Sequence, residues 1–167
     1  MFRKYIAKTA LLTVVMSLVV LTACTRAVGA PVVSADAIAP TWITATKNGD
    51  SAAVPIADVQ KNTIVHFFLE GTSGKMAFMS YIFEGKTYVR ANICPPCRSI
   101  NFTLDKDILV CDSCFTRFEA GTGNGVSGAC VNYPKASVDF VLNGDSIVMK
   151  TADMETAYRN TLKPGLP

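Results

Sequence analysis

The chain has 167 residues, half of them hydrophobic, and 16 basic against 13 acidic side chains give a formal net charge of +3. The basic excess lies in the first 23 residues, at Arg3, Lys4 and Lys8, and the remaining 144 residues hold 13 basic and 13 acidic side chains. A charge-balanced segment of this length predicts one folded domain and gives no electrostatic support for a nucleic-acid partner.

Residues 1–23 have the pattern of an export signal, because the positive N-terminus precedes an uncharged apolar run at 10–21 that is short for a membrane span. The run ends in Leu-Thr-Ala-Cys at 21–24, which resembles the lipobox of bacterial lipoproteins. That resemblance implies that Cys24 is acylated and anchors the chain to membrane lipid, facing the periplasm or the cell exterior. The alternative is an ordinary secretory signal in which Cys24 stands by chance.

The segment that follows, residues 24–40, is rich in Ala, Val and Pro and has little periodicity, so we expect a lipidated tether. The folded domain is then expected at residues 41–167. Short apolar or alternating runs predict strands, and Gly-containing turns at 84–86 and 143–145 predict hairpins. Only residues 152–162 have a helical pattern. The expected fold is mainly β, a small sandwich or barrel with a short C-terminal helix.

Five cysteines lie in the expected domain, in the order Cys94, Cys97, Cys111, Cys114 and Cys130. The first four form two Cys-x-x-Cys pairs, and each pair is expected to make a tight knuckle that points two thiolates at one centre. Four such sulfurs suit a zinc ion, a single iron or a [2Fe-2S] cluster. Disulfides are the competing interpretation in an oxidising compartment, although an odd number leaves one thiol over and bonds within the pairs would be strained.

Residues 111–118, with Thr122-Gly123 and Gly128, resemble the second half of a Rieske domain. Residues 54–59 are similar to the opening strand of such a domain, and 137–149 to its closing hairpin. The resemblance implies a Rieske-like β sandwich or barrel with a two-knuckle metal subdomain like that of rubredoxin or a zinc ribbon. Cys114 occupies a position where Rieske domains have His, so a His-ligated cluster is not expected.

A closer resemblance is to the FtrD-like family of membrane iron-sulfur proteins, which is associated with iron transport. It rests on the two cysteine pairs, on Phe118 and on Gly128-Ala129-Cys130. The resemblance implies that Cys94, Cys97, Cys111 and Cys114 hold the centre and that Cys130, on a nearby loop, is a candidate fifth ligand. The implied partner is a membrane permease or an electron-transfer complex on a separate chain.

The function expected from these residues is electron transfer or iron handling, because an all-thiolate cluster has a low potential. The alternative is a non-redox lipoprotein whose structural zinc site serves a binding or scaffolding module. Three roles stay open for Cys130: an exchangeable ligand, a resolving thiol or a buried loop residue. The chain's single histidine, His66, is expected on a half-buried strand. The sequence contains no recognisable Ser/His/Asp set that would predict a hydrolase.

Overall fold

The protein is described by a computed structural model over residues 33–72 and 74–165. The expected export signal and the expected acylation site at Cys24 lie outside the described residues. Within the described ranges, none of the helices has the length and apolar character needed to cross a membrane.

The described residues are organised mainly as β-strands. The strands are β1 (Thr41–Trp42), β2 (Thr46–Asn48), β3 (Ser51–Pro55), β4 (Ile64–Gly71), β5 (Gly74–Phe83), β6 (Lys86–Ala91), β7 (Phe102–Asp105), β8 (Ile108–Cys111), β9 (Arg117–Glu119), β10 (Gly125–Ser127), β11 (Phe140–Asn143) and β12 (Ser146–Lys150). The helices are α1 (Ile56–Asn62) and α2 (Thr151–Thr161). The expected fold class and the expected C-terminal helix are confirmed.

The strands form three four-stranded sheets, in the orders β1-β4-β5-β6, β10-β9-β8-β7 and β11-β12-β3-β2. All neighbouring strands are antiparallel except the parallel pair β1 and β4. Both predicted hairpins are present, and positive φ angles at Gly85 and Gly144 allow the tight turns.

One predicted strand was wrong. The chain leaves the extended conformation at Pro55, and the last four residues of the expected strand 54–59 belong to α1. Pro55 has φ −66° and stands before the first turn, where its missing N–H breaks no helical hydrogen bond. Ile56 and Val59 are three residues apart and share a helix face, which buries Val59 in the core.

Two cores lie on opposite faces of the β4–β6 sheet, because successive side chains of a strand alternate between its faces. On β4, Val65 and Phe67 belong to the first core, together with residues of β3, β12 and α2. Ile64 belongs to the second core, together with residues of β7, β8 and β9. The second core also contains the buried cysteines, so it positions the candidate site.

The described part of the expected tether lies along β7. The backbone N–H and the hydroxyl of Ser34 donate hydrogen bonds to Asp105, and Ile38 forms an antiparallel bridge with Leu104. These contacts hold the chain before β1 against the sheet that supports the second cysteine pair. The domain boundary at residue 41 stays a prediction.

Candidate metal centre

The first knuckle follows the end of β6. The backbone N–H of Arg98 donates to the carbonyl oxygen of Cys94 at 2.7 Å, and the N–H of Cys94 donates to the carbonyl of Ser99 at 2.8 Å. Arg98, directly after Cys97, has a φ of +59°, which turns the chain back on itself. The Cys94 thiol is buried in the second core, whereas Cys97 is partly exposed.

The second knuckle follows β8 and repeats this turn. The N–H of Phe115 donates to the carbonyl of Cys111 at 2.8 Å, and the N–H of Cys111 donates to the carbonyl of Thr116 at 2.9 Å. Phe115, directly after Cys114, has a φ of +56°. The first thiol is again buried and the second again partly exposed. The two cysteine pairs therefore have matching backbone turns, as their spacing predicts.

The two knuckles face each other through their sulfur atoms. The Sγ atoms of Cys94 and Cys114 are 3.8 Å apart, and those of Cys97 and Cys111 are 3.7 Å apart. Two sulfurs bound to one tetrahedral ion are separated by about 3.8 Å, because each metal–sulfur bond is about 2.3 Å long. Each thiol of one knuckle is thus at ligand spacing from a thiol of the other.

Cys130 joins these sulfurs from a third loop. Its Sγ lies 3.6 Å from that of Cys114, and its N–H donates at 3.0 Å to the Thr116 hydroxyl, which is itself 3.2 Å from the Cys114 sulfur. The sulfurs of Cys94, Cys97, Cys114 and Cys130 all lie within 4.8 Å of one another. That compact set includes Cys130 in place of Cys111, so the ligand assignment to the two pairs stays a prediction.

The donors fit a thiophilic metal centre. All five described cysteines are free thiols, and three of them are buried. Thiolate ligands select zinc, copper(I), iron and iron-sulfur clusters over magnesium or calcium. The arrangement is compatible with a zinc ion, a single iron or a [2Fe-2S] cluster.

The buried thiols differ in acidity. A hydrogen bond from the Cys94 thiol, supplemented by the N–H groups of Cys114 and Ser113, lowers the pKa of Cys111 to about 4. The same hydrogen bond raises the pKa of its donor Cys94, and burial raises it further. Burial raises the pKa of Cys97 to about 12. In the metal-free protein, Cys111 of the second knuckle is therefore the first of these three thiols to ionise as the pH rises.

The pKa of the Cys130 thiol is also lowered. Burial opposes its charged form, but hydrogen bonding with Cys94, Cys114 and Thr116 holds its pKa below the ordinary thiol value. The Cys130 thiol is therefore more acidic than an ordinary thiol, which distinguishes it from an inert core cysteine.

Two buried cations, Lys135 and Arg90, lie near the second core, and sequence reasoning missed both. The ammonium of Lys135 donates to the carbonyl of Ile93 at 2.7 Å, and Arg90 donates to the carbonyls of Lys135 and Gly121 at 2.9 and 2.6 Å. Arg90 also donates to the Tyr81 hydroxyl at 2.8 Å. Their burial arises from contacts between distant strands and loops, which no local sequence pattern indicates.

His66 lies on β4, as predicted, but is fully buried rather than half-buried. Neither ring nitrogen has a hydrogen-bond partner among the described residues, and burial lowers its pKa to about 3. The ring makes an edge contact with Trp42, at 5.2 Å between centroids. His66 is outside the compact sulfur group, so the structure gives it no ligand role.

The chain is similar to known proteins in sequence and in fold. A family profile described as "Membrane iron-sulfur containing protein FtrD-like" matches residues 59–160. No curated protein sequence matches the chain. Among solved structures, a chain from a complex of reduced oxygenase and oxidized ferredoxin in carbazole 1,9a-dioxygenase is similar, with a TM-score of 0.51 and 19% identity over 62% of this chain and 95% of that chain.

These similarities confirm both resemblances seen in the sequence. The structural neighbour supports a Rieske-like fold, and the profile covers both knuckles, the third-loop cysteine and most of α2. The family and the clustered thiols together indicate binding of a metal or an iron-sulfur centre. The chain belongs to the FtrD-like family of membrane iron-sulfur containing proteins.

Proposed function

We propose that this chain is an electron carrier whose iron-sulfur cluster is held by Cys94, Cys97, Cys111 and Cys114. The observation that carries this proposal is the pairing of the two knuckles, whose opposed sulfurs are 3.7 and 3.8 Å apart. Membership in an iron-sulfur family favours a cluster over a structural ion. A [2Fe-2S] cluster suits two pairs of thiolates, because each iron takes two protein sulfurs.

The surroundings of the thiols suit electron exchange with another protein. When bound, the cluster would supply one-electron chemistry at a low potential, because four thiolates donate more charge than a set with two imidazoles. Cys94 and Cys111 are buried, which keeps water from the inner side, whereas Cys97 and Cys114 reach the surface. Phe115 beside them is 41% exposed, so a partner can approach the outer side.

The proposed setting is a membrane surface outside the cytoplasm. The lipobox-like residues 21–24 support acylation of Cys24, and the description of the family as membrane proteins agrees with an anchored chain. The proposed redox partner is a membrane permease or an electron-transfer complex that serves iron transport or respiration. Loss of membrane attachment on Cys24→Ser substitution, measured by fractionation of cells, tests the anchor separately from the centre.

A structural zinc site is the second candidate. Its support is the compact set of Cys94, Cys97, Cys114 and Cys130, since four sulfurs within 4.8 Å of one another suit a single closed ion. Such a site has no open position for a substrate and undergoes no redox change. The protein would then act as a binding or scaffolding module.

Metal and acid-labile sulfide analysis of anaerobically purified protein separates the two candidates. The proposed function requires iron and sulfide in equal amounts, together with an electron paramagnetic resonance signal that appears on one-electron reduction. Zinc without sulfide would overturn it and establish the structural site. Chains purified from cells grown with iron and with excess zinc provide the matched pair, since a zinc artefact of expression disappears in the first.

A further inference from the structure

Lys135 is a buried ammonium without an acidic partner. Its residue is 1% exposed, and its Nζ lies 4.4 Å from the ring centroid of Phe118 and 5.2 Å from that of Phe102. In the part of the chain that the structure describes, the one hydrogen bond of Nζ is the 2.7 Å bond to the carbonyl of Ile93. Among the described residues, no carboxylate is within ion-pair distance of Nζ. A buried charge in this state is costly unless another negative group compensates it.

The groups that can compensate this charge are the thiolates. Ile93, which accepts the hydrogen bond, directly precedes Cys94, and Phe102 is the cross-strand partner of Cys111. Burial lowers the pKa of Lys135 to about 8, whereas negative charge on the cysteines, which a bound metal requires of its thiolate ligands, raises it. The ammonium of Lys135 therefore lies in the core that contains the buried thiols of both knuckles.

The backbone fixes the position of this side chain. Arg90 donates to the carbonyl of Lys135 at 2.9 Å, and the N–H of Lys135 donates to the carbonyl of Gly123 at 2.8 Å. Gly123 has a φ of +80°, and a Cβ there would collide with the Lys135 carbonyl and lie 2.7 Å from an Arg90 nitrogen. Only glycine allows this close approach, which holds the base of Lys135 against the β6 strand.

We propose that Lys135 is the fixed counter-charge of the sulfur centre: it stabilises the anionic ligand set and raises the reduction potential of the centre. The inference rests on the proposed metal centre and deepens it. A cation in a low-dielectric core stabilises the more negative reduced state over the oxidised state, so its removal disfavours reduction. The same cation favours thiolates over thiols and hence the binding of any thiophilic ion.

Neutral and charged replacements of Lys135 test the proposal by two readouts. Lys135→Gln retains a donor toward Ile93 without the charge, and Lys135→Met retains the apolar stem between the phenylalanine rings. Lys135→Arg keeps the charge, and Lys61→Gln is a matched neutralisation at an exposed position. The readouts are the affinity of metal-free, reduced protein for Co²⁺ by chelator competition, and the midpoint potential of the cluster-loaded protein.

We expect Lys135→Gln to weaken Co²⁺ binding about tenfold. We expect it to lower the equilibrium constant for reduction about tenfold, which equals about 59 mV for one electron. Lys135→Arg and Lys61→Gln should stay near wild type in both readouts. An unchanged affinity and potential in a folded Lys135→Gln or Lys135→Met protein would overturn the proposal, and so would an equal loss in Lys135→Arg.

The two readouts keep this inference apart from the proposed function. If the wild type binds Co²⁺ but contains zinc and no cluster, the electron-carrier proposal fails, and the affinities of the Lys135 variants still decide whether the counter-charge exists. Circular dichroism of each variant before metal addition shows whether it is folded.

Discussion

The two knuckles have the same backbone turn, but their sulfurs have different surroundings. The intervening residues are Pro95 and Pro96 in the first knuckle, and neither has an N–H to donate. In the second knuckle, the N–H of Ser113 contributes to the lowered pKa of Cys111, which a hydrogen bond from Cys94 depresses most. The two knuckles therefore share a backbone turn but differ in the number of N–H donors to their sulfurs, because the residues between the cysteines differ.

The charge of each knuckle is compensated differently. The second knuckle relies on local donors, including the Thr116 hydroxyl 3.2 Å from the sulfur of Cys114. The first knuckle follows Ile93, whose carbonyl accepts a hydrogen bond from the buried Lys135. The Lys135 ammonium is bonded beside the first knuckle, whereas the Thr116 hydroxyl contacts a sulfur of the second, so the two halves of the centre have different polar surroundings.

Serine substitution of a knuckle cysteine is expected to have the largest effect. Cys94→Ser and Cys111→Ser each remove a proposed ligand, so iron and sulfide per chain should fall by more than about tenfold. Substitution of a residue that only hydrogen-bonds to a metal ligand can already lower metal affinity about tenfold. Cys130→Ser is the matched control and should retain both. Retention in Cys111→Ser with loss in Cys130→Ser would instead assign the compact group of Cys94, Cys97, Cys114 and Cys130 as the ligand set.

The second effect concerns the contact between the third loop and the second knuckle. Gly128 has a φ of +113°, and a Cβ there would lie 2.7 Å from both Cα and Oγ1 of Thr116. We expect Gly128→Ala to lower the free energy of unfolding by about 3 kcal/mol, since backbone strain costs about 1–2 kcal/mol and overpacking about 1–3 kcal/mol. Urea unfolding of the metal-free protein measures this loss.

Gly144→Ala is the control for that substitution. Gly144 also has a positive φ, +56°, but a Cβ there would have no atom within 4 Å. Gly144→Ala should cost about 1 kcal/mol from backbone strain alone. Equal losses in the two variants would show that Thr116 moves aside and that the third loop is not packed tightly on the second knuckle.

A pH series separates unfolding of the scaffold from protonation of the knuckle thiolates. His66 is in neither knuckle, and burial lowers its pKa from 6.5 to about 3. Because the unfolded chain takes up this proton first, the stability that His66 contributes is complete above pH 6.5 and is lost as the pH falls toward 3. Between pH 6 and 4.5 we expect a loss of about 2 kcal/mol, at about 1.4 kcal/mol per pH unit.

His66→Phe removes this titration without changing any cysteine. Urea unfolding of the metal-free variant should therefore depend less on pH than unfolding of the wild type over the same range. Parallel curves for the two proteins would mean that the histidine is protonated in the folded state, and that other groups cause the acid sensitivity.

Features that depend on a few neighbouring residues, such as hairpin turns and the cysteine knuckles, were predicted from the sequence. Gly85 and Gly144 marked the hairpins, and the Cys-x-x-Cys spacing marked two matching turns. The strand expected at 54–59 from the Rieske resemblance was wrong at α1, because Ile56 and Val59 have the three-residue spacing of a helix face. Lys135 could not be found, because its burial requires Phe102 and Phe118 from two strands and a carbonyl at the end of a third. Long-range contacts of this kind leave no periodic signal.

The smallest predicted effect tests directly why the knuckles differ. Pro96 occupies in the first knuckle the position that Ser113 occupies in the second, so Pro96→Ala adds the missing N–H beside the Cys94 sulfur. A new hydrogen bond worth about 1 kcal/mol in favour of the reduced state should raise the midpoint potential of the loaded protein by about 40 mV. Pro95→Ala is the matched control, since the corresponding Asp112 is not among the donors to Cys111. Equal shifts in both variants would mean that relief of proline rigidity, and not one added donor, sets the difference between the knuckles.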